Sequence, residues 1–110
     1  MTLNPIIHDH DRCCVLAFLV ARGGKADYDS IKNRLGLSDE GMASNMAALA
    51  AAKYVGRAED LVNGRSFFGF PATNLKTQTI YTLTRLGKMQ LLAYCQRLHE
   101  VLDELNGEAV

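Results

Sequence analysis

Two helical patterns separated by a very short turn constrain the fold of this chain more than any other feature. The first covers residues 27–36, where Asp27 is a good N-cap and apolar side chains recur at helical spacing until Gly36. The second covers residues 38–53, where Ser38 is the N-cap and the apolar side chains again fall on one face. Because so short a connection keeps the two helices close, the pattern predicts a helix-turn-helix.

Periodicity in the rest of the chain predicts three further elements. Residues 9–22 have the spacing of a helix that ends at two glycines. Residues 55–83 predict two strands of a long hairpin, and the adjacent Asn63 and Gly64 are typical of a type I′ turn. Residues 84–106 predict the longest helix. Together these elements predict a single domain, mainly α with a β-hairpin (α+β), in the order of a winged helix-turn-helix.

Apolar side chains in the last helix are spaced alternately four and three residues apart, as in the seam of a coiled coil. They are Leu91, Cys95, Leu98, Leu102 and Leu105. A seam of this kind packs against a second helix, so the pattern predicts that the last helix contributes to a dimer interface. The seam is short for a free coiled coil, and other contacts must help to hold the partner.

The charge balance provides no overall attraction to nucleic acid, because twelve basic and twelve acidic residues give a net charge of zero. No apolar run approaches the ~20 residues that span a bilayer, so no membrane association is predicted. The chain has three cysteines, and Cys13 and Cys14 are adjacent, which is a poor pattern for a disulfide framework. With no signal-peptide pattern at the N-terminus, we expect a cytoplasmic protein with reduced thiols.

No group of residues predicts an enzyme. The sequence has neither a glycine-rich phosphate loop after a strand nor a nucleophile beside a base, so we expect no catalysis and no cofactor. His8, Asp9, His10 and Asp11 do alternate imidazoles with carboxylates near the start of the first helix. Capping and favourable charge at the positive end of that helix explain them.

Histidine and cysteine side chains near the first and last helices leave two interpretations open. They are His8, His10, Cys13 and Cys14 in or before the first helix, and Cys95 and His99 in the last. If the two groups met across a dimer, they could form a metal or thiol sensor. Their spacing matches no standard zinc motif and free cysteine is commonly buried, so we favour buried thiols and solvated histidines, with no bound metal.

Four segments of the sequence resemble the small one-domain winged-helix regulators of the MarR and ArsR kind. They are LNPIIHDHDR at 3–12, IKNRLGLSDEGMASNMAALAAAKYV at 31–55, NGR at 63–65 and TQTIYTLTRLGK at 77–88. The most specific parts are the Leu-Gly-Leu-Ser-Asp turn between the two central helices and the Tyr-x-Leu-Thr-x-x-Gly sequence that closes the hairpin.

This resemblance implies a homodimer that binds double-stranded DNA at a palindromic operator and represses transcription. The third helix would lie in the major groove and the hairpin wing along the minor groove, with half-sites ~34 Å apart. The dimer would form through the first and last helices, with Ile6 and Ile7 beside the leucine seam.

The expected DNA surface departs from the family pattern, because the outer face of the third helix carries no cation. Ser44 and Asn45 are left to read bases, since asparagine can bind adenine and alanine methyls can contact thymine. The residues expected to contact DNA are Lys25, Lys32, Ser38, Gly41, Ser44, Asn45, Ala48, Arg57, Arg65 and Lys76. With so few cations, we expect weak to moderate affinity that falls steeply with salt.

The wing is also longer than the family pattern and carries Phe67, Phe68 and Phe70. These rings either fold back on the domain or its dimer partner, or form a lid over a small-molecule effector. A rival function remains open as well. The bare third helix and neutral charge also suit a winged-helix protein-interaction module that has lost sequence-specific DNA binding.

Overall fold

The computed structural model describes residues 3–63 and 75–108. Its elements are α1 (His10–Ala21), β1 (Lys25–Asp27), α2 (Tyr28–Leu35), α3 (Asp39–Ala51), β2 (Val55–Asn63), β3 (Leu75–Leu83) and α4 (Arg85–Glu108). The three strands form one antiparallel sheet in the order β1-β3-β2. This architecture confirms the predicted fold class, which is mainly α with a β-hairpin and a long C-terminal helix. Within the described ranges, no helix is both long and apolar enough to cross a membrane.

The ends of α2 and α3 are set by local hydrogen bonds. The Asp27 carboxylate accepts from the backbone N–H of Ser30 at 3.0 Å. A hydrogen bond from the Ser30 hydroxyl, and to a smaller extent this backbone contact, lower the pKa of Asp27. Gly36 ends α2 in the left-handed conformation, with φ of 65°. The Ser38 hydroxyl then accepts from the N–H of Gly41 at 3.0 Å and caps α3, so only three residues separate the end of α2 from the start of α3.

The short strand β1 was missed by the sequence prediction, which assigned two strands in a hairpin. Gly23 and Gly24 have φ values of 76° and 100° and turn the chain from α1 into this strand. Ala26 then lies opposite Tyr81 of β3 and is buried. Three residues are too few to show a strand period, and only the pairing with β3 makes them a strand.

The type I′ turn predicted at Asn63 and Gly64 is wrong as a two-residue hairpin. Asn63 still belongs to β2 and pairs with Leu75, the first residue of β3. Residues 64–74, which join the two strands, lie outside the described ranges. The dipeptide is therefore not what sets the register of this hairpin.

A single apolar core joins the helices to the base of the sheet. Its largest fully buried side chains come from α1, α2, α3 and the segment before α1, and they are Ile7, Val15, Leu16, Leu19, Ile31, Met42 and Leu49. The base of the hairpin adds Val55 and Tyr81, and α4 adds Leu91 and Tyr94. The core lies beneath the helix-turn-helix and fixes it against the sheet.

The start of α4 contacts the connection between α3 and β2 very closely. The Thr84 hydroxyl donates to the carbonyl of Lys53 at 2.6 Å, and the Thr84 N–H donates to the carbonyl of Tyr54 at 3.0 Å. Thr84 also accepts from the N–H of Gly87 at 3.0 Å and so caps α4. A Cβ at Gly87 would lie 2.2 Å from the Tyr54 carbonyl oxygen, so only glycine fits there. We call Lys53, Tyr54, Thr84 and Gly87 the α3–α4 junction.

Replacing Gly87 with alanine should destabilise the fold, because the new methyl group would force α4 away from Tyr54. We expect the free energy of unfolding to fall by about 1–3 kcal/mol or more, measured by urea denaturation. Gly107 is the matched control, since it lies on the same helix with nothing within 4 Å of an added Cβ. Gly107→Ala should leave stability unchanged or raise it by up to about 1 kcal/mol. Equal stability of the two variants would contradict the tight junction.

Candidate nucleic-acid interface

The outer face of α3 is a line of small or acidic side chains. Glu40, Ser44, Ala47 and Ala51 are exposed and lie one above the other at helical spacing. We call these four residues the α3 outer face. Its small side chains leave the helix backbone accessible to a partner, and the face carries no positive charge.

The structure corrects the prediction that Asn45 reads bases. Asn45 is only 8% exposed, because it lies three residues from Met42 and four from Leu49, on the buried side of α3. Ala48, which was also predicted to contact DNA, is half-buried on the flank of the helix. Of the side chains proposed to read bases, Ser44 is the one on the exposed face.

Ser38 and Gly41, both predicted to contact DNA, lie together at the start of α3. Their mutual hydrogen bond engages the Ser38 hydroxyl oxygen and the Gly41 N–H. Ser38 is exposed and Gly41 is half-buried. Their contribution in the structure is to cap the helix, and this places the first turn of α3 at the surface.

Lys32, predicted to bind phosphate, forms an ion pair across the helix-turn-helix. Its Nζ lies 2.8 Å from Oδ1 of Asp39, and the Tyr28 hydroxyl donates to the same oxygen at 2.7 Å. These contacts lower the pKa of Asp39, while Asp39 raises the pKa of both Lys32 and Tyr28. Asp39 therefore offsets the charge of Lys32 beside the start of α3. Sequence reasoning missed this pair, because it forms between different helices.

Arg57, also predicted to bind phosphate, lies on β2 and belongs to a cluster of polar side chains on the sheet. Its Nη2 is 3.0 Å from Oε1 of Glu59, and the Thr79 hydroxyl donates to that oxygen at 2.9 Å. The Arg57 side chain remains 62% exposed. An exposed ion pair of this kind is weak, so the guanidinium can exchange Glu59 for another anion.

The remaining predicted DNA contacts are only partly described. Lys25 is exposed on β1, on the strand next to β3. Arg65 lies outside the described ranges, as do the wing aromatics Phe67, Phe68 and Phe70. Lys76 belongs to β3, but its side chain is not described.

The predicted dimer seam divides into buried and exposed parts. A dimer interface requires side chains that are exposed on the single chain. Leu91 is 6% exposed and Ile7 is fully buried, so both belong to the core of their own chain and their assignment to the dimer interface is wrong. Ile6 and Leu98 are half-buried against that core, and Cys95 is exposed. Leu102 and Leu105 are 50% and 57% exposed, near the end of α4.

Each of the three histidines considered for a sensor contacts another side chain of the same chain. His8 contacts the Tyr94 hydroxyl at 2.9 Å, His10 lies 3.2 Å from Asp11 and 3.8 Å from the Cys14 sulfur, and His99 lies 3.4 Å from Asp103. Within residues 3–63 and 75–108, no three metal-ligating side chains come together.

Cys13 and Cys95 lie on α1 and α4, two helices that pack together within one chain. Burial, followed by the neighbouring thiols of Cys95 and Cys14, raises the pKa of Cys13. Cys13 is therefore held as a neutral thiol that packs against the core.

Comparison with known proteins identifies a family for most of the chain. A family model described as a winged helix DNA-binding domain matches residues 12–102. This range includes the helix-turn-helix, the sheet and most of α4. No curated protein sequence gives a significant match.

Two solved structures show the same fold at low sequence identity. A transcriptional regulator homologue from Pyrococcus horikoshii OT3 is 20% identical with a TM-score of 0.75, and the alignment covers 91% of this chain and 87% of that one. The PcaV transcriptional regulator from Streptomyces coelicolor, solved in complex with its natural ligand, is 19% identical with a TM-score of 0.56. That alignment covers 91% of this chain and 63% of PcaV.

The ion pair between Lys32 and Asp39 predicts a perturbed titration. The Asp39 carboxyl should titrate below its usual pKa of 3.8, and Lys32→Gln should raise that pKa, as followed by NMR of the carboxyl carbon. The pair should contribute to stability above the unfolded pKa of Asp39 and lose that contribution as pH falls through the folded pKa. The control is Arg34→Gln, which removes an exposed cation from the same helix. An equal pKa change in both variants would contradict a specific pair.

Proposed function

Because the chain belongs to the winged helix DNA-binding domain family, we propose that it is a homodimeric transcriptional regulator that binds a palindromic operator and represses transcription. The observation that carries the proposal is the α3 outer face. It is exposed next to the hairpin, and its small side chains would let the helix backbone approach the floor of the major groove. Both solved relatives described above are named as transcriptional regulators, which supports the same function.

Sequence recognition would rest on few groups. The Ser44 hydroxyl can donate to or accept from a base edge, and the methyl groups of Ala47 and Ala51 can contact thymine methyls. Glu40 on the same face would repel phosphate, which favours a position near the base edges and away from the backbone. Affinity would then depend strongly on cations elsewhere on the chain.

Phosphate contacts would come from the edges of the interface. Lys25 and Arg57 are the exposed candidates on the sheet, and Arg65 and Lys76 are the further candidates that the sequence offers. Lys32 would contribute less than a free lysine, because Asp39 competes with DNA for its charge. A binding surface with so few cations predicts an affinity that falls steeply with ionic strength.

The end of α4 is the proposed dimer surface. Leu98 is the last leucine of α4 that packs against the core, and the described residues from Leu102 to Gly107 are all exposed. Leu102 and Leu105 lie on the same side of α4 as Leu91, which packs on the core near the start of the helix. Their side chains are 50% and 57% exposed. A second copy would cover them and hold two α3 helices at the spacing of operator half-sites. The half-buried Ile6 could extend this contact.

A small-molecule effector is part of the proposal as well. PcaV was solved with a natural ligand, which supports ligand response in a protein of this fold. Phe67, Phe68 and Phe70 remain candidates for a lid on the wing.

Adding a second negative charge to the α3 outer face, which already carries Glu40, should weaken specific DNA binding. We expect Ser44→Glu to weaken binding to a duplex from the protein's own upstream region by about tenfold or more, since the carboxylate would meet base edges and phosphates. Fluorescence anisotropy at low and near-physiological salt measures the affinity for this duplex, and a scrambled duplex measures non-specific binding. Gln96→Glu is the control, because it adds the same charge at an exposed position of α4.

Two outcomes would count against the regulator. Unchanged affinity in Ser44→Glu would mean that α3 does not read the operator. Failure of the unmodified protein to prefer its own upstream DNA would favour the protein-interaction module, for which the lack of any cation on the α3 outer face is the supporting observation.

Charged residues in place of the exposed leucines should separate the dimer. Leu102→Lys with Leu105→Lys should yield monomers in analytical ultracentrifugation, with little change in unfolding of the core, because both side chains lie on the solvent-exposed part of α4. Met89→Lys is the matched control, since Met89 is 57% exposed on the opposite face of the same helix. A monomeric unmodified protein, or a double variant that remains dimeric, would refute this interface.

A further inference from the structure

The first turn of α3 carries two acidic side chains, and the structure gives them different surroundings. Asp39 turns towards α2, where its carboxylate pairs with Lys32 at 2.8 Å and accepts from the Tyr28 hydroxyl at 2.7 Å. Glu40 is exposed on the α3 outer face, and it has no ion-pair partner among the described residues. Asp39 therefore joins the two helices, whereas the Glu40 carboxylate is presented to whatever binds this face.

We infer that Glu40 determines the sequence specificity of the proposed DNA surface, by accepting a hydrogen bond from the N4 amino group of a cytosine in each operator half-site. This inference rests on the proposed function, because it requires α3 to lie in the major groove. It names one base pair of the operator, a cytosine paired with guanine, at the position that faces the first turn of α3.

The position of Glu40 along α3 brings it to the base edges. In a helix-turn-helix, the N-terminal residues of the recognition helix contact base edges in the major groove. Glu40 is the second residue of α3, and the next side chains on the same face, Ser44 and Ala47, are too short to hold the helix away from the groove. The positive end of the helix dipole lies at this turn and offsets part of the carboxylate charge as it approaches DNA.

The chemistry of a carboxylate selects one base out of four. An ionised glutamate only accepts hydrogen bonds. In the major groove guanine presents two acceptors, and thymine presents one acceptor and a methyl group. Adenine presents its N6 donor beside the N7 acceptor, whereas the N4 donor of cytosine has no acceptor of the same base beside it. Cytosine is therefore the base that satisfies Glu40 without repulsion from its own edge.

The cost of an unsatisfied carboxylate makes this selection strong. Removing a charged group from water without providing a hydrogen-bond donor costs more than removing a neutral one. Ser44, by contrast, can either donate or accept, so its hydroxyl tolerates several bases. Within the α3 outer face, discrimination between bases thus depends mainly on Glu40.

The geometry of α3 also limits where the cytosine lies. A helix rises ~1.5 Å per residue, so Glu40 and Ser44 are about 6 Å apart along α3, which corresponds to about two base pairs of DNA. The cytosine should lie within about two base pairs of the position that Ser44 contacts. In a palindromic operator it should occur once in each half-site.

The test is the selection of binding sites from a pool of randomised duplexes by the full chain and by two variants of Glu40. The unmodified protein should enrich a palindrome with one cytosine at a fixed position of each half-site. Any other base there should weaken binding by about tenfold. Glu40→Ala should lose the preference at this position alone. Glu40→Gln should change the preference to adenine, because glutamine pairs with the N6 and N7 atoms of that base.

Asp29→Asn is the matched control, since Asp29 is exposed and is likewise the second residue of its helix, α2. Loss of either acidic side chain reduces the repulsion of phosphate and should raise the affinity for every duplex, but the control should keep the preferred bases unchanged. An identical enriched sequence for the unmodified protein and Glu40→Ala would overturn this role of Glu40 and leave the regulator intact. A pool from which the unmodified protein enriches no sequence would reject the proposed function, and this role with it.

Discussion

The arrangement of this domain depends on the close contact between the start of α4 and the end of the helix-turn-helix. Tyr54 offers its carbonyl to the N–H of Thr84, and Gly87 leaves the space that this approach requires. Asn4 reinforces the contact, because its amide donates to the Tyr54 hydroxyl at 2.9 Å. The contact connects the proposed DNA-reading unit to the helix that carries the proposed dimer surface. A change in the angle of α4 would therefore move α3, so this contact couples the proposed dimer surface to the proposed DNA-reading helix.

Charge is distributed in a way that limits the DNA-binding surface. One cation of the helix-turn-helix and one of the sheet are partly neutralised, Lys32 by Asp39 and Arg57 by Glu59. Both pairs are exposed, so they contribute little to stability, but an incoming anion must compete with a resident carboxylate. The same property leaves Arg57 able to exchange Glu59 for a DNA phosphate.

The wall of alanines on α3 has two consequences that follow from one physical fact. A side chain that ends at Cβ lets another surface approach the helix backbone closely, and it leaves space wherever nothing approaches. On the outer face this favours contact with a groove, and toward the sheet it leaves the cavity beside Tyr81. Larger residues at Ala43, Ala47 and Ala50 would fill this cavity.

The sequence by itself determined where the helices begin and end and which fold class they form. The capping contacts at Asp27, Ser38 and Thr84 join residues only three positions apart, and Gly36 needs only its own backbone freedom, so local composition is sufficient. Only the tertiary structure decided which side of α3 is buried at Asn45, that Lys32 pairs with Asp39, and that residues 25–27 form a strand. Each of these depends on a partner from another element, and a pattern read along one segment contains no information about which element will pack against it.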